Sequence, residues 1–204
     1  MNRQKFLKSL PGLTGWRESA FMLSLAERAL PNALLYLAQG EQQVVDISVY
    51  PRGLLDLMNA SWDQLIRDPN EENMIELLDD VLACLPDFEN DDSYGALPTG
   101  DCLWLWEQAL VSGFNHDRKR ALEASQRSIE SITQFIEFSE GEGLSENQLI
   151  KRFDSHDLVK REFSFQQELS DSLRSADKPK ETLIEELRSL AQDEGVSNIG
   201  IALD

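Results

Sequence analysis

Apolar residues recur at intervals of three and four positions along almost the whole chain, which is the spacing of one face of an α-helix. One clear stripe lies between Leu54 and Ile66, and others follow as far as Leu190. The β-prone residues 43–50 have no partner stretch of similar quality nearby. We interpret them as a loop that enters a helix with Pro51 in its first turn. The pattern predicts an all-α protein with no significant sheet.

Prolines and capping residues set the expected helix boundaries. We expect Pro31 to end or kink the first long helix, because proline lacks an N–H and disfavours helix in the residue before it. In the polar residues 91–102, ahead of the apolar run that begins at Leu103, Tyr94-Gly95 predicts a turn between two helices. The following helix is then expected to start near Cys102, with Thr99 or Asp101 as its cap.

The same signals predict about eight helices in one compact bundle. Ser145 and Gln148 have the spacing of a capping box at the start of a helix. The expected connections are short, and the chain contains no repeat or low-complexity segment. We therefore predict a single all-helical domain over residues 1–204.

Composition predicts a cytoplasmic protein. Hydrophobic residues make up 41% of the chain, which is enough for a sizeable core. The apolar run at residues 103–106 is far shorter than the roughly 18 residues of a membrane span. The basic N-terminus lacks the apolar stretch of about 7–15 residues that a secretory signal needs. Cys84 and Cys102 are the only cysteines and form no CxxC motif, so we expect reduced, mostly buried thiols. Because no apolar run is long enough to span a membrane, we expect no association with membranes.

Negative charge is concentrated in the middle of the chain. The net charge is −18, and 13 of the 37 acidic residues lie between Asp68 and Asp117, where there is no lysine or arginine. We call residues 68–117 the acidic region. It would repel nucleic acid, because binding phosphate there would require counterion uptake. It could attract a cation or a basic protein.

Two interpretations of the acidic region stay open. The simpler one is an acidic surface that only keeps the protein in solution. The leading functional hypothesis is a non-catalytic binding or adaptor protein that presents the region to a basic partner. The candidate partner-binding residues are Asp87, Glu89, Asp91 and Asp92. In either case we expect no direct binding of nucleic acid.

Motifs for metal binding and catalysis are incomplete. The acids from Asp87 onward alternate as in a calcium loop, but Asp92 and Pro98 occupy the places of the required Gly and Glu, which favours a solvated loop over a weak cation site. His116 and His156 lack the Glu-x-x-His spacing of di-metal bundles, and the aspartate after each favours helix capping. There is no nucleophile elbow and no Gly-rich phosphate loop. We predict no cofactor, metal or catalytic residue, although a reaction is not excluded.

An alternative candidate site consists of five polar residues from distant segments. Glu27, Arg28, Tyr94, Asp101 and Asn198 could converge around the pocket of a small-molecule-binding protein or an enzyme. For Glu27 and Arg28, the favoured interpretation is an internal ion pair that ties the first long helix to the bundle. For Asn198, it is a set of hydrogen bonds that pins the C-terminal tail.

A third possibility is a homodimeric structural protein. Leu103, Trp104, Leu105 and Trp106 cannot all face one core stripe, because adjacent residues of a helix point about 100° apart. Either this helix is buried on all sides, or part of it covers a partner copy through Trp104 or Phe114.

Short motifs from end to end of the chain carry a family resemblance. They are Trp16, Phe21-Met22, Glu27-Arg28, Pro31-Asn32, Asp92, Tyr94-Gly95, Pro98, Asp101-Cys102, Glu194-Gly195 and Ser197-Asn198-Ile199-Gly200-Ile201. With them, the chain resembles the YjaG-like bacterial proteins of domain-of-unknown-function family 416. The resemblance implies an all-α single domain in a bacterial cytoplasmic protein, and it implies no reaction. The acidic tail after Ile201 and a shorter, more serine-rich loop at residues 91–102 depart from the family pattern.

Overall fold

The computed structural model describes residues 3–39, 50–67, 70–85, 87, 91 and 93–202. Within these residues there are nine α-helices and no β-strand, which confirms the predicted all-α class. The helices are α1 (Arg3–Ser9), α2 (Trp16–Gln39), α3 (Tyr50–Ile66), α4 (Glu71–Leu82), α5 (Ala96–Val111), α6 (Arg120–Glu140), α7 (Glu146–Ser155), α8 (Asp157–Ser175) and α9 (Glu181–Gln192). A 3₁₀ turn follows α1 at Leu10–Gly12 and another follows α9 at Asp193–Gly195.

Helix α2 is the centre of the fold. Every residue from Glu18 to Ala33 is buried, because α2 packs extensively against α5 and also contacts α3, α6, α8 and α9. A helix that is covered on all sides has no solvent-exposed face. Its polar residues, among them Glu27, Arg28 and Asn32, are therefore buried together with the apolar ones.

Helix α2 does not end at Pro31, since it continues through this residue to Gln39; the alternative of a kink at Pro31 stays a prediction. A proline inside a helix removes one backbone hydrogen bond. Here the residues around it, Leu30, Asn32 and Ala33, are buried against other helices. Tertiary packing supplies most of the stability of helices in proteins, so it can offset this loss.

Helix α5 begins earlier than predicted, at Ala96 instead of near Cys102. The predicted caps were therefore also wrong. Thr99 lies inside the helix, where its Oγ1 donates to the carbonyl oxygen of Gly95 at 2.8 Å, and Asp101 lies two residues further in. Apolar packing of the first turn, in which Ala96 is buried, takes the place of a side-chain cap.

Other boundary predictions agree with the structure. Helix α3 begins at Tyr50, which places Pro51 in its first turn. The predicted loop before it, residues 43–49, lies outside the described residues. Ser145 and Gln148 form the expected capping box at the start of α7.

The run Leu103–Trp106 is explained by the central position of α5. Leu103, Leu105 and Trp106 are buried in the main core. Trp104 is half-buried, and the guanidinium carbon of Arg127 lies 5.1 Å from the centroid of its ring. Phe114 is also half-buried. A dimer contact through Trp104 or Phe114 stays a prediction.

Two hydrophobic clusters hold the described helices together. The larger takes residues from every helix except α7 and includes Trp62, Trp106 and Phe21. The smaller lies between α6, α8 and the C-terminal tail, where Ile199 joins three residues of the two helices. None of the described helices combines the length and the apolar character required to span a lipid bilayer.

Candidate functional site

Helix α4 carries the best-defined part of the acidic region. Met74 and Val81 face the protein interior, and all five acidic residues of the helix are exposed. Residues four apart on a helix lie on the same face, so these acids form two neighbouring rows with one apolar member. We call this surface the α4 face: Glu71, Glu72, Ile75, Glu76, Asp79 and Asp80.

Within the described residues, none of the five carboxylates of the α4 face lies in an ion pair. Ile75 is 41% exposed between two of them, and Leu85, just after the helix, is 43% exposed. The α4 face therefore combines free negative charge with an accessible apolar side chain.

The charges of α4 oppose the stability of the helix at its C-terminal end. Glu72, Glu76 and Asp80 follow one another at four-residue spacing, and each such like-charge pair costs about 0.2–0.5 kcal/mol. Asp79 and Asp80 lie in the last turn, where the helix dipole disfavours negative charge and no basic residue is present. The first turn is favourable by contrast, because Asn70 caps it.

The four acids predicted to bind a partner lie in the connection between α4 and α5. Glu89 and Asp92 lie outside the described residues. Asp87 is described, and its backbone carbonyl accepts the backbone N–H of Asp91 at 2.9 Å.

Asp91 is bound to α2 and to its own loop. Its Oδ2 accepts the phenol hydrogen of Tyr36, and its Oδ1 accepts the backbone N–H of Ser93 at 2.8 Å. The Tyr36 hydrogen bond lowers the pKa of Asp91, with further help from Ser93. Burial and the charge of Asp91 together raise the pKa of Tyr36 to about 12. This acid thus also has a structural role.

Among the predicted pocket residues, Glu27 joins three helices through one buried carboxylate. Its Oε2 accepts the indole N–H of Trp62 on α3 at 2.7 Å. Its Oε1 accepts from Arg188 Nη2 at 2.8 Å and from Gln192 Nε2 at 2.9 Å, both on α9. The charge of Glu27 is therefore neutralised by Arg188 and fully hydrogen-bonded.

Arg28 makes a second buried ion pair, with Glu162 of α8. Its Nε donates to Glu162 Oε2 at 2.9 Å, and Ser128 Oγ donates to the other oxygen of Glu162 at 2.7 Å. The Nη2 of Arg28 lies 3.2 Å from Asp193 Oδ2. Its guanidinium carbon lies 4.4 Å from the ring centroid of Phe165. Such complete pairing is what permits charges in a protein interior.

Asn198 lies beside the same region of α2. Its Oδ1 accepts from Asn32 Nδ2 at 2.9 Å, and Asn32 follows Arg28 by one helical turn. Within the C-terminal tail, Ile201 donates its backbone N–H to Ser197 Oγ at 3.1 Å. Glu27, Arg28 and Asn198 therefore all connect α2 to the C-terminal part of the chain.

Tyr94 and Asp101 contact a different helix, α6. The ring of Tyr94 stacks on Phe138 with centroids 4.1 Å apart, and Asp101 Oδ1 lies 3.5 Å from Arg127 Nη1. Burial raises the pKa of Asp101, although Ser131 and Arg127 oppose the shift. Burial and Asp101 raise the pKa of Tyr94 to about 12.

The five predicted pocket residues thus fall into two groups. No hydrogen bond or ion pair joins Tyr94 or Asp101 to Glu27, Arg28 or Asn198 in the described part of the chain. A common pocket formed by all five stays a prediction.

One contact of a buried carboxyl group had no signal in the sequence. The side chain of Glu18 is 0% exposed, and its Oε2 lies 2.5 Å from His116 Nδ1. Its Oε1 is buried without a hydrogen-bond partner in the described residues. Burial raises the pKa of Glu18, while His116 acts in the opposite direction. In the sequence, a glutamate in the first turn of a helix indicates only a favourable dipole interaction.

A groove between α8 and α9 was also not predicted. Its volume is about 840 Å³. Leu183, Leu187 and Leu190 share one side of α9 and line the groove, with the exposed acids Glu168 and Glu186 along it. At one end lies the 3₁₀ turn, where Asp193, Glu194 and Gly195 have φ angles of 43°, 57° and 85°. The sequence shows the leucines only as a core stripe.

The fold and these sites define a class: an all-helical protein with a paired ionic core and an acidic helix face. The chain matches the family described as "Protein of unknown function (DUF416)" over residues 5–202, and it belongs to that family. The resemblance inferred from the sequence motifs is therefore confirmed.

Relatives match this chain over 94–98% of its length. An "Uncharacterized protein" of Haemophilus influenzae is 30% identical over 205 residues, which cover 98% of this chain and 97% of that protein. "Uncharacterized protein YjaG" of Escherichia coli is 27% identical, with 94% and 93% covered. The crystal structure of a DUF416 family protein from Shewanella baltica has a TM-score of 0.81 at 24% identity, with 97% and 98% covered. It has the same all-α fold.

Proposed function

We propose that this protein is a non-catalytic binding or adaptor protein of the bacterial cytoplasm, and that its α4 face docks a basic partner protein. The observation that carries the proposal is the set of five exposed carboxylates on α4 without a cation among the described residues. These charges lower the stability of their own helix. A local arrangement that costs stability without internal compensation is typical of functional sites.

The chemistry of the α4 face suits a basic partner. Opposite charges steer two proteins together and raise the association rate, and this effect weakens as salt is added. Lysine and arginine of a partner would also relieve the repulsion along Glu72, Glu76 and Asp80. Ile75, which is 41% exposed, offers apolar contact area within the charged surface.

Charge reversal along one row of α4 tests the proposal. The triple variant Glu72→Lys/Glu76→Lys/Asp80→Lys is compared with wild type and with a matched control on α6. The control, Glu123→Lys/Glu130→Lys/Glu137→Lys, changes the net charge equally at three exposed acids outside the acidic region. Each tagged protein is used to capture partners from a lysate of its own cell at low and high salt, and the retained proteins are quantified by mass spectrometry.

We expect wild type and the α6 control each to capture one basic protein in stoichiometric amount. The same protein should be lost from the α4 variant and from wild type at high salt. It should then bind purified wild type, but not the purified α4 variant, in a titration. Identical sets of proteins on all three baits would overturn the proposal, and so would empty columns.

A further inference from the structure

We propose that the groove between α8 and α9 binds a linear aliphatic polyamine, in which methylene chains separate two or more ammonium groups. This inference goes beyond the docking of a basic protein, because it assigns a small ligand to a different surface. The groove has apolar and acidic lining residues in an arrangement that such a ligand matches.

The charge of the groove selects a cation. Glu168 of α8, Glu186 of α9 and Glu194 of the turn line it, and all three are exposed. None of them lies in an ion pair within the described residues, and no lysine or arginine is among the lining residues. Asp193 is different, because it is already paired with Arg28 and Arg161.

The leucine side chains that line the groove disfavour a hydrated metal ion as its ligand. Leu187 is buried, Leu183 and Leu190 are half-buried, and all three line the groove between the carboxylates. A hydrated metal ion would gain nothing from contact with leucine, whereas methylene groups gain by leaving water. An alkyl chain with charged ends can lie on the leucines while its ammonium groups remain at the carboxylates, as lysine side chains do on apolar surfaces.

The dimensions favour a small ligand over a partner helix. The volume of about 840 Å³ is within the range of roughly 300–1,000 Å³ that is usual for small-molecule sites. From Leu183 to Leu190, α9 rises by about 10 Å. An average helix of a partner would be about 15–21 Å long, which is longer than this leucine stretch.

Calorimetric titration of the full-length protein with spermidine and spermine tests the assignment. The groove variant is Glu168→Gln/Glu186→Gln. The matched control is Glu181→Gln/Glu185→Gln, which removes two exposed acids of α9 that do not line the groove. Magnesium ions and a lysine-rich peptide are titrated as competing cations. Thermal unfolding of each variant verifies that it is folded.

We expect one saturable site in wild type and in the control. Each lost carboxylate should weaken the polyamine about tenfold, which is the usual effect of removing one charge-assisted hydrogen bond. The α4 charge-reversal variant should bind the polyamine as wild type does, so this proposal and the docking proposal fail separately. Equal weakening by the control, displacement by magnesium at equal charge, or tighter binding of the lysine-rich peptide would overturn the assignment.

Discussion

Glu27 and Arg28 are adjacent in the sequence but connect α2 to different helices. Successive side chains of a helix point about 100° apart, so Glu27 reaches α3 and α9 while Arg28 reaches α8. Each charge is neutralised by a partner of opposite sign, Arg188 or Glu162. A buried ion pair adds little net stability, but it penalises strongly any arrangement in which one partner is missing. These two residues therefore specify how α2, α8 and α9 fit together.

Removal of Arg28 should destabilise the protein severely. In Arg28→Ala, the carboxylate of Glu162, whose side chain is 1% exposed, loses its counter-charge, which typically costs about 3–5 kcal/mol. Urea unfolding measures the loss. Arg127→Ala is the control, because Arg127 is 40% exposed and a pair at the surface contributes about 0–1 kcal/mol. Equal losses in the two variants would contradict this interpretation of the ionic core.

Asp101 should make stability depend on pH. Burial raises its pKa, so its contribution is fully present below the unfolded-state pKa of about 3.9 and is lost as the pH rises through the folded-state pKa. The Asp101→Asn variant has no carboxyl group at this position, so its free energy of unfolding lacks this pH-dependent contribution. The free energy of unfolding of wild type minus that of the variant should therefore fall as the pH rises. Urea unfolding at a series of pH values measures it.

Asp91 supplies a control of opposite sign. The Tyr36 hydrogen bond lowers its pKa, so its contribution is present above the unfolded-state pKa and is lost as the pH falls through the folded-state pKa. The free energy of unfolding of wild type minus that of Asp91→Asn should therefore rise as the pH rises. If the two differences moved in the same direction, the pKa shifts would have other causes than burial and the phenol.

At the scale of one helix, α4 allows the cost of the docking surface to be measured without a partner. Asp80→Asn removes a like-charge pair and an unfavourable dipole interaction, and it should raise the free energy of unfolding by about 0.5 kcal/mol. Glu71→Gln, in the first turn, removes a favourable dipole interaction and should lower it by a similar amount. Thermal unfolding of both variants checks the signs. Stabilisation by both substitutions would point to general charge repulsion instead.

Helix patterns were predictable where one face is solvent-exposed. The stripes of α4 and α9 and the capping box of α7 depend on residues only a few positions apart, so local spacing is sufficient. Pro31 and the start of α5 were not predictable in this way. Both lie in helices that are covered on nearly all sides, where packing against distant residues outweighs the local preferences.

For the whole molecule, the candidate sites were predictable only in part. The acidic region follows from a count of charges, and the buried ties of Glu27 and Arg28 follow from their place in an apolar helix. The ion-pair partners of these two residues could not be predicted from local sequence, because Glu162 lies 134 residues after Arg28 and Arg188 lies 161 residues after Glu27. The groove depends on how two helices diverge, which no local pattern contains.

These separations also determine when the protein can fold in the cell. A ribosome adds about 5–20 residues per second, so Glu27 and Arg28 wait on the order of ten seconds before α8 and α9 are synthesised. Until then, Glu27 and Arg28 lack the partners of opposite charge that they have in the folded interior. The ion pairs of α2 with α8 and α9 can therefore form only after α9 has been synthesised, and a nascent chain that stalls before α8 should be retained by chaperones or degraded. The buried charges Glu27 and Arg28 are thus among the last groups of α2 to find their partners.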